Sequence, residues 1–240
     1  MIPRTASDSS EIPAVCGHTD FHDNDVTRPN EGYFGHVDAV IERANKLGIV
    51  MTVLPVWGDK LPVPYWGSGP HGLVNGSNAR GYGNYLGQRL GHRDIVWVLG
   101  GDRPFNGNET VYRELVAGIK EGDDGRNLMT YHPMGSYSSS FFVHDEPWLD
   151  FNMFQSGHEA FEENWRFAEA DYHRHPTKPV LDGDRAMRII PPASGQKHST
   201  SAITFNPHRP GMDLRVGNIS WHITRKKSWP AISSRWIRCG

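Results

Sequence analysis

The residue best placed to do chemistry is Asp102, which follows five apolar residues (95–99) and two glycines. The apolar run predicts a strand buried on both faces, and Pro104 prevents its continuation. The carboxyl ends of parallel strands carry the chemistry of α/β folds, so a carboxylate placed there is a candidate general acid or base. The alternative is a structural role, in which Asp102 caps its loop by pairing with Arg103 or a backbone amide. The local sequence leaves both roles open.

Polar and aromatic residues also follow the neighbouring predicted strands. The aromatic rings could stack on sugar faces or lie in the core. His132, Gln155 and His158 could bind hydroxyl groups or be structural. Asp59 and Arg103 could hold a substrate or pair with each other. Besides Asp102, the candidates are Trp57, Asp59, Trp66, Arg103, Tyr131, His132, Gln155, His158 and Asp184.

These candidates need a scaffold that brings strand ends together. Apolar periodicity predicts strands over 49–54, 95–100, 127–132, 149–155 and 178–184, and helices over 31–47, 78–90, 110–121 and 160–173, with Asn30 or Thr27 capping the first helix and Thr110 the third. Strands that alternate with helices indicate a parallel sheet. Gly100-Gly101-Asp102 does not supply the glycine-rich phosphate turn of a doubly wound sheet. Reactive groups at five successive strand ends therefore favour part of a (β/α)8 barrel.

Composition excludes several functional classes. The 240 residues have a formal net charge of −2, which does not favour nucleic acid as a partner. No apolar run approaches the roughly 20 residues of a membrane span, and residues 1–10 lack the apolar segment of a secretory signal. Cys16 and Cys239 form neither a disulfide framework nor a metal-ligand spacing. We expect no cofactor, metal or membrane partner, and localisation and oligomeric state stay undetermined.

The character of the chain changes after Asp184. Residues 185–240 contain ten Lys and Arg and one acidic residue, so this tail carries +9 while residues 1–184 carry −11. One interpretation is a basic arm for an anionic polymer. The preferred interpretation is an irregular tail that is disordered or out of frame. We therefore expect a partial barrel domain over 1–184 and an irregular tail over 185–240.

The chain resembles the apiosidase-like catalytic domain, glycoside hydrolase family 140. The resemblance covers roughly residues 17–183 and includes six segments in order: 30–38, 54–60, 95–104, 129–133, 144–158 and 178–183. It implies a (β/α)8 barrel that hydrolyses glycosides of plant pectin, with terminal apiose as one substrate class. Relatives of this kind are often exported. On this alignment the recognisable strands are the third to the seventh, Asp102 ends the fourth and Asp184 the seventh.

The resemblance implies that Asp102 is the acid/base and that Asp184 occupies the nucleophile position. Glycoside cleavage needs one protonated and one ionised carboxyl, about 5.5 Å apart for retention and about 6.5–9.5 Å apart for inversion. Two departures matter: the family pattern leads us to expect Asp-Gly-Glu where this chain has Asp182-Gly183-Asp184, and an initial strand–helix–strand unit and an eighth strand are missing. The alternative to an enzyme is an inactive barrel remnant that at most binds carbohydrate.

Overall fold

The computed structural model describes residues 19–63, 72–156, 164–184, 213–216 and 219–225. Its helices are α1 (Glu31–Lys46), α2 (Ala79–Leu90), α3 (Glu109–Gly122), α4 (Ser140–Val143) and α5 (Asn164–Tyr172). Its strands are β1 (Ile49–Leu54), β2 (Ile95–Gly100), β3 (Met129–His132), β4 (Tyr137–Ser138), β5 (Asn152–Gln155), β6 (Val180–Asp184), β7 (Asp213–Val216) and β8 (Ile219–Arg225). None of the helices in these ranges is both long and apolar enough to cross a membrane.

The predicted alternation of strands and helices is confirmed as a mixed α/β fold with parallel strands. β1, β2 and β3 pair in parallel, and β5 pairs in parallel with β6 in a second sheet. Between the two sheets, the Asp150 amide donates to the Met129 carbonyl over 2.9 Å and the Thr130 hydroxyl donates to the Phe151 carbonyl over 2.7 Å. This order of parallel strands is compatible with part of a (β/α)8 barrel. The assignment to its third to seventh strands stays a prediction.

Two segments of the tail differ from the expected irregular chain. β8 pairs antiparallel with β1, and β7 pairs antiparallel with β8, so an antiparallel hairpin lies on the edge of β1 that faces away from β2. The signal in the sequence is short: apolar and polar residues alternate along Ile219, Ser220, Trp221, His222, Ile223 and Thr224. The remaining residues of 185–240 lie outside the described part of the chain, where the irregular tail stays a prediction.

Apolar residues pack on both faces of the central strands. The larger core joins one face of β1–β3 to helices α1–α3 and contains the fully buried Trp97, whose indole N–H donates to Asp123 over 2.9 Å. A smaller cluster on the other face consists of Leu54, Val98 and Met153. This burial on two faces explains why the apolar residues of β1 and β2 are not confined to alternate positions, with the buried Thr52 as the polar exception in β1.

The helix boundaries follow local capping signals in part. The Asn30 side chain accepts a hydrogen bond from the Gly32 amide over 3.0 Å, which confirms the predicted cap of α1. The predicted cap Thr110 is wrong, because α3 already begins at Glu109 and the side chain of Asn108 binds the backbone of Val63 instead. The serine-rich segment 136–140 contains β4 and the start of α4.

Candidate functional site

The turn that carries Asp102 has three successive residues with positive φ. Gly100 and Gly101 have φ of 94° and 93°, and Asp102 has φ of 56°. A Cβ atom at Gly100 would lie 2.3 Å from the His132 carbonyl oxygen, and one at Gly101 would lie 2.9 Å from the Trp57 ring. The two glycines therefore let the chain leave β2 through a gap that no larger residue could enter. Asp102 is placed against the ends of β1 and β3 as a result.

Asp102 and His132 come together at the ends of β2 and β3. The Asp102 Oδ1 lies 3.5 Å from the His132 Nδ1, and the same nitrogen lies 3.1 Å from the Pro133 carbonyl oxygen. A carbonyl only accepts hydrogen bonds, so the contact with Pro133 assigns the ring proton to Nδ1. The Asp102 side chain keeps 20% of its surface exposed and that of His132 keeps 4%. His132 therefore restrains Asp102, in addition to any role in binding hydroxyls.

Arg103 and Asp59 lie in a buried charged group below Asp102. Arg103 is 1% exposed, its Nη1 donates to the Asp102 carbonyl over 3.0 Å, and its side chain packs on Gly58. Burial lowers the pKa of the Arg103 guanidinium, and the carboxylates of Asp59 and Asp102 oppose that shift. Asp59 pairs with Lys60 over 3.0 Å. A guanidinium enclosed in this way supports the turn, and the alternative role of Arg103 in holding substrate stays a prediction.

The two predicted stacking residues in the described ranges differ in burial. Tyr131 is fully buried, its hydroxyl donates to the Arg103 carbonyl over 2.7 Å, and burial raises its pKa well above the usual value. A ring without an exposed face favours the core alternative for Tyr131, and its stacking on a sugar stays a prediction. Trp57 is partly exposed, with its ring centroid 6.1 Å from that of His132, and stays a candidate for stacking.

Gln155 and Asp184 lie side by side at the ends of β5 and β6. Their Cα atoms are register partners, and Gln155 is also paired with Tyr137 of β4. Gln155 is 4% exposed, and only the backbone of Asp184 is described. Trp66 and His158 lie outside the described residues. The predicted roles of Gln155 and Asp184 stay predictions.

Two residues of this edge were missed by the sequence analysis. Asp182 accepts hydrogen bonds from Asn164 over 3.1 Å and from the Ser156 hydroxyl over 3.4 Å, which ties β6 to α5. Tyr137, within the serine-rich segment 136–140, is 37% exposed next to Gln155. A two-residue strand leaves no periodicity, so the only signal was an aromatic residue among serines. Within the described ranges, no three His, Cys, Asp or Glu residues are grouped as metal ligands.

The sequence profile of the apiosidase-like catalytic domain matches residues 4–204. This range is wider than the resemblance over 17–183 and continues past Asp184 into the basic tail. No curated protein matches the chain with significant similarity.

Solved structures that are similar to the chain include two glycoside hydrolases. One is a glycoside hydrolase family 5 protein from Bacteroides vulgatus, with 34% identity and a TM-score of 0.57 over 65% of this chain and 35% of that protein. The other is named a glycoside hydrolase, with 33% identity and a TM-score of 0.56 over 65% of this chain and 37% of that protein. The chain thus spans about a third of the length of these structures.

Proposed function

Because the chain belongs to the family of the apiosidase-like catalytic domain, we propose that it is a glycoside hydrolase acting on terminal glycosides of plant pectic polysaccharide. The observation that carries the proposal is the contrast between Asp102 and its charged neighbours. The Asp102 side chain is 20% exposed at the carboxyl end of β2, while Arg103 is 1% exposed beneath it. The names of the two similar structures support the same class of reaction.

Asp102 is the acid/base of the proposed reaction. It protonates the leaving glycosidic oxygen and then removes a proton from the attacking water. The Oδ1 atom lies nearest to His132, so we assign proton exchange with the substrate to Oδ2. His132 is therefore a positioning residue that acts through Asp102.

The second carboxylate of the proposal is Asp184. Its backbone lies beside Gln155 at the carboxyl end of β6. Asp102 follows the carboxyl end of β2, so both residues lie at the carboxyl ends of parallel strands. Aspartate is one methylene shorter than the glutamate of the family pattern, and a misplacement of about 1 Å can cost roughly a hundredfold in rate. We expect weak hydrolysis, and an Asp184→Glu substitution raises the rate if the shorter side chain is the cause.

A carbohydrate-binding protein without hydrolysis is the second candidate. It is favoured by Leu181, which is 38% exposed. The register partner of Leu181 is Met153, which is buried in the smaller apolar cluster with Leu54 and Val98, on the inner face of the sheets. Incomplete cover of this inner face would leave the β6 carboxylate less firmly placed. Binding through aromatic rings tolerates such freedom, whereas two-carboxylate catalysis does not.

The test is the release of sugar from a panel of aryl glycosides and pectin fragments by the chain and by Asp102→Asn. The matched control is Asp124→Asn, because Asp124 is an exposed aspartate with a φ of 55°, close to that of Asp102, in the loop that precedes β3. We expect the Asp102 variant to lose roughly a hundredfold or more in rate and the control to keep its rate. Equal rates in all three proteins would refute the role of Asp102. Folded protein that releases no sugar would favour the binding candidate.

A further inference from the structure

Tyr137 of β4 forms an aromatic cluster with Phe141 and Phe142 of α4. The Tyr137 ring centroid is 5.5 Å from that of Phe141 and 5.8 Å from that of Phe142, and the two phenylalanine centroids are 5.1 Å apart. Tyr137 is 37% and Phe141 66% exposed, while Phe142 packs against the main core. Phe142 thus anchors two rings that remain accessible to solvent.

The pairing of β4 with β5 shows which face of the sheet carries Tyr137. Ser138 and its register partner Phe154 face helix α5, since the Ser138 hydroxyl donates to Asp171 and the Phe154 ring stacks on Phe167 with centroids 5.3 Å apart. Side chains alternate along a strand and register partners share a face. Tyr137 and its partner Gln155 therefore lie on the opposite, inner face, at the edge where the candidate site is found.

The aromatic cluster is continuous with the residues that support Asp102. The Phe142 ring centroid lies 6.4 Å from that of Tyr131, and the Tyr131 hydroxyl binds the Arg103 carbonyl next to Asp102. On the other side, Gln155 separates Tyr137 from the backbone of Asp184. Tyr137 is accordingly placed beside the position where the second carboxylate is proposed.

We propose that Tyr137, flanked by Phe141, is a stacking platform for a second sugar ring of an oligosaccharide bound at this site. The proposal rests on the proposed function and specifies its substrate as longer than a single glycosyl unit. The apolar face of a sugar ring packs on an aromatic face such as the exposed ring of Tyr137. Two exposed rings are a small fraction of the roughly 800 Å² that a stable protein interface buries on each partner, so a sugar fits this surface better than a protein.

The experiment measures the binding of size-fractionated pectic oligosaccharides, and of their constituent monosaccharides, to the purified chain by titration calorimetry. The variants are Tyr137→Ala and Tyr137→Phe, which keeps the ring. The matched control is Tyr172→Ala on α5, since Tyr172 is 63% exposed and lies at the end of the helix that leads back toward the start of β6. We expect Tyr137→Ala to weaken oligosaccharide binding by roughly two- to tenfold. Monosaccharide binding, Tyr137→Phe and Tyr172→Ala stay at the level of the unmodified chain.

The outcomes separate this inference from the proposed function. Oligosaccharide binding that depends on Tyr137, without any hydrolysis of aryl glycosides, supports the platform and contradicts the enzyme. Hydrolysis with equal oligosaccharide affinity in the chain and in Tyr137→Ala overturns the platform and leaves the enzyme in place. The platform is also overturned if no oligosaccharide binds, or if Tyr137→Ala changes self-association in sedimentation rather than glycan affinity.

Discussion

The contact between α2 and α3 predicts that replacing a glycine by alanine destabilises the protein at one position of these helices and stabilises it at another. A Cβ atom at Gly118 of α3 would lie 2.0 Å from the Arg80 carbonyl oxygen and 2.8 Å from the Asn84 amide nitrogen, both backbone atoms of α2. Gly83 and Gly87 of α2 meet α3 just as closely, with 2.4 Å from each Cβ position to a carbonyl oxygen. The backbones of the two helices therefore touch, and neither can yield without moving its own buried residues.

The magnitude for Gly118→Ala follows from two opposing effects. Overpacking a tightly packed site costs about 1–3 kcal/mol, and replacing glycine by alanine inside a helix returns about 1 kcal/mol. The clash is with backbone rather than with a flexible side chain, so we expect a cost near the upper limit and a net loss of about 2 kcal/mol in the free energy of unfolding. Urea unfolding followed by far-ultraviolet circular dichroism measures this loss.

The matched control is Gly81→Ala in α2. Gly81 is exposed and has no atom within 4 Å of its Cβ position, so only the helix propensity changes. We expect Gly81→Ala to raise the free energy of unfolding by about 0.5–1 kcal/mol. A rise for Gly118→Ala, or equal losses for the two variants, would refute the close approach of α2 and α3.

Four further predictions concern residues near the candidate site and the α2 surface. Asp102→Ala should unfold about 1 kcal/mol more easily than Asp102→Asn, because asparagine tolerates the positive φ of 56°; equal urea midpoints would contradict this. Tyr131→Phe should lose about 1 kcal/mol, because the buried Arg103 carbonyl loses its donor, and a neutral result would place water there. His132→Leu should be less stable than His132→Asn by roughly 1–3 kcal/mol, because only asparagine keeps a donor near the Nδ1 position; thermal melts in the same buffer decide. Burial raises the pKa of Tyr85 to about 12, so the unfolded chain, with a tyrosine pKa near 10, loses its proton first. The stabilising contribution is complete below about pH 10 and is lost as the pH rises toward 12. Tyr85→Phe should therefore lessen the alkaline decline of stability in urea titrations at increasing pH, and an unchanged decline would contradict it.

Local patterns in the sequence were sufficient to predict the turn that presents Asp102. A continuous apolar run forms a strand buried on both faces, and the two glycines supply positive φ at 94° and 93°, because these properties depend on the residues themselves. The cap of α1 at Asn30 was predictable for the same reason, since its partner amide is two residues away. The family motifs added the class of reaction that the strand ends could perform.

Tertiary structure decided which candidates stay partly exposed and which lie in the core. Tyr131 was equally compatible with both until its hydroxyl met the Arg103 carbonyl, 28 residues away in sequence. Arg103 was equally compatible with a substrate contact and an ion pair until the fold left it 1% exposed, which favours a structural role. Such outcomes depend on the surfaces that distant segments bring together, and local composition carries no record of them.

The rim of the site shows the same division. Tyr137 is placed beside Gln155 by a two-residue strand whose partner lies 18 residues further along the chain, and a strand that short has no period to detect. Likewise, the glycines of α2 and α3 approach the backbone of the other helix only when the two helices pack together. The sequence by itself therefore determined the local conformations and the chemistry available at the strand ends. Only the tertiary structure decided which of those groups are exposed together, because exposure depends on contacts between segments that are distant in the chain.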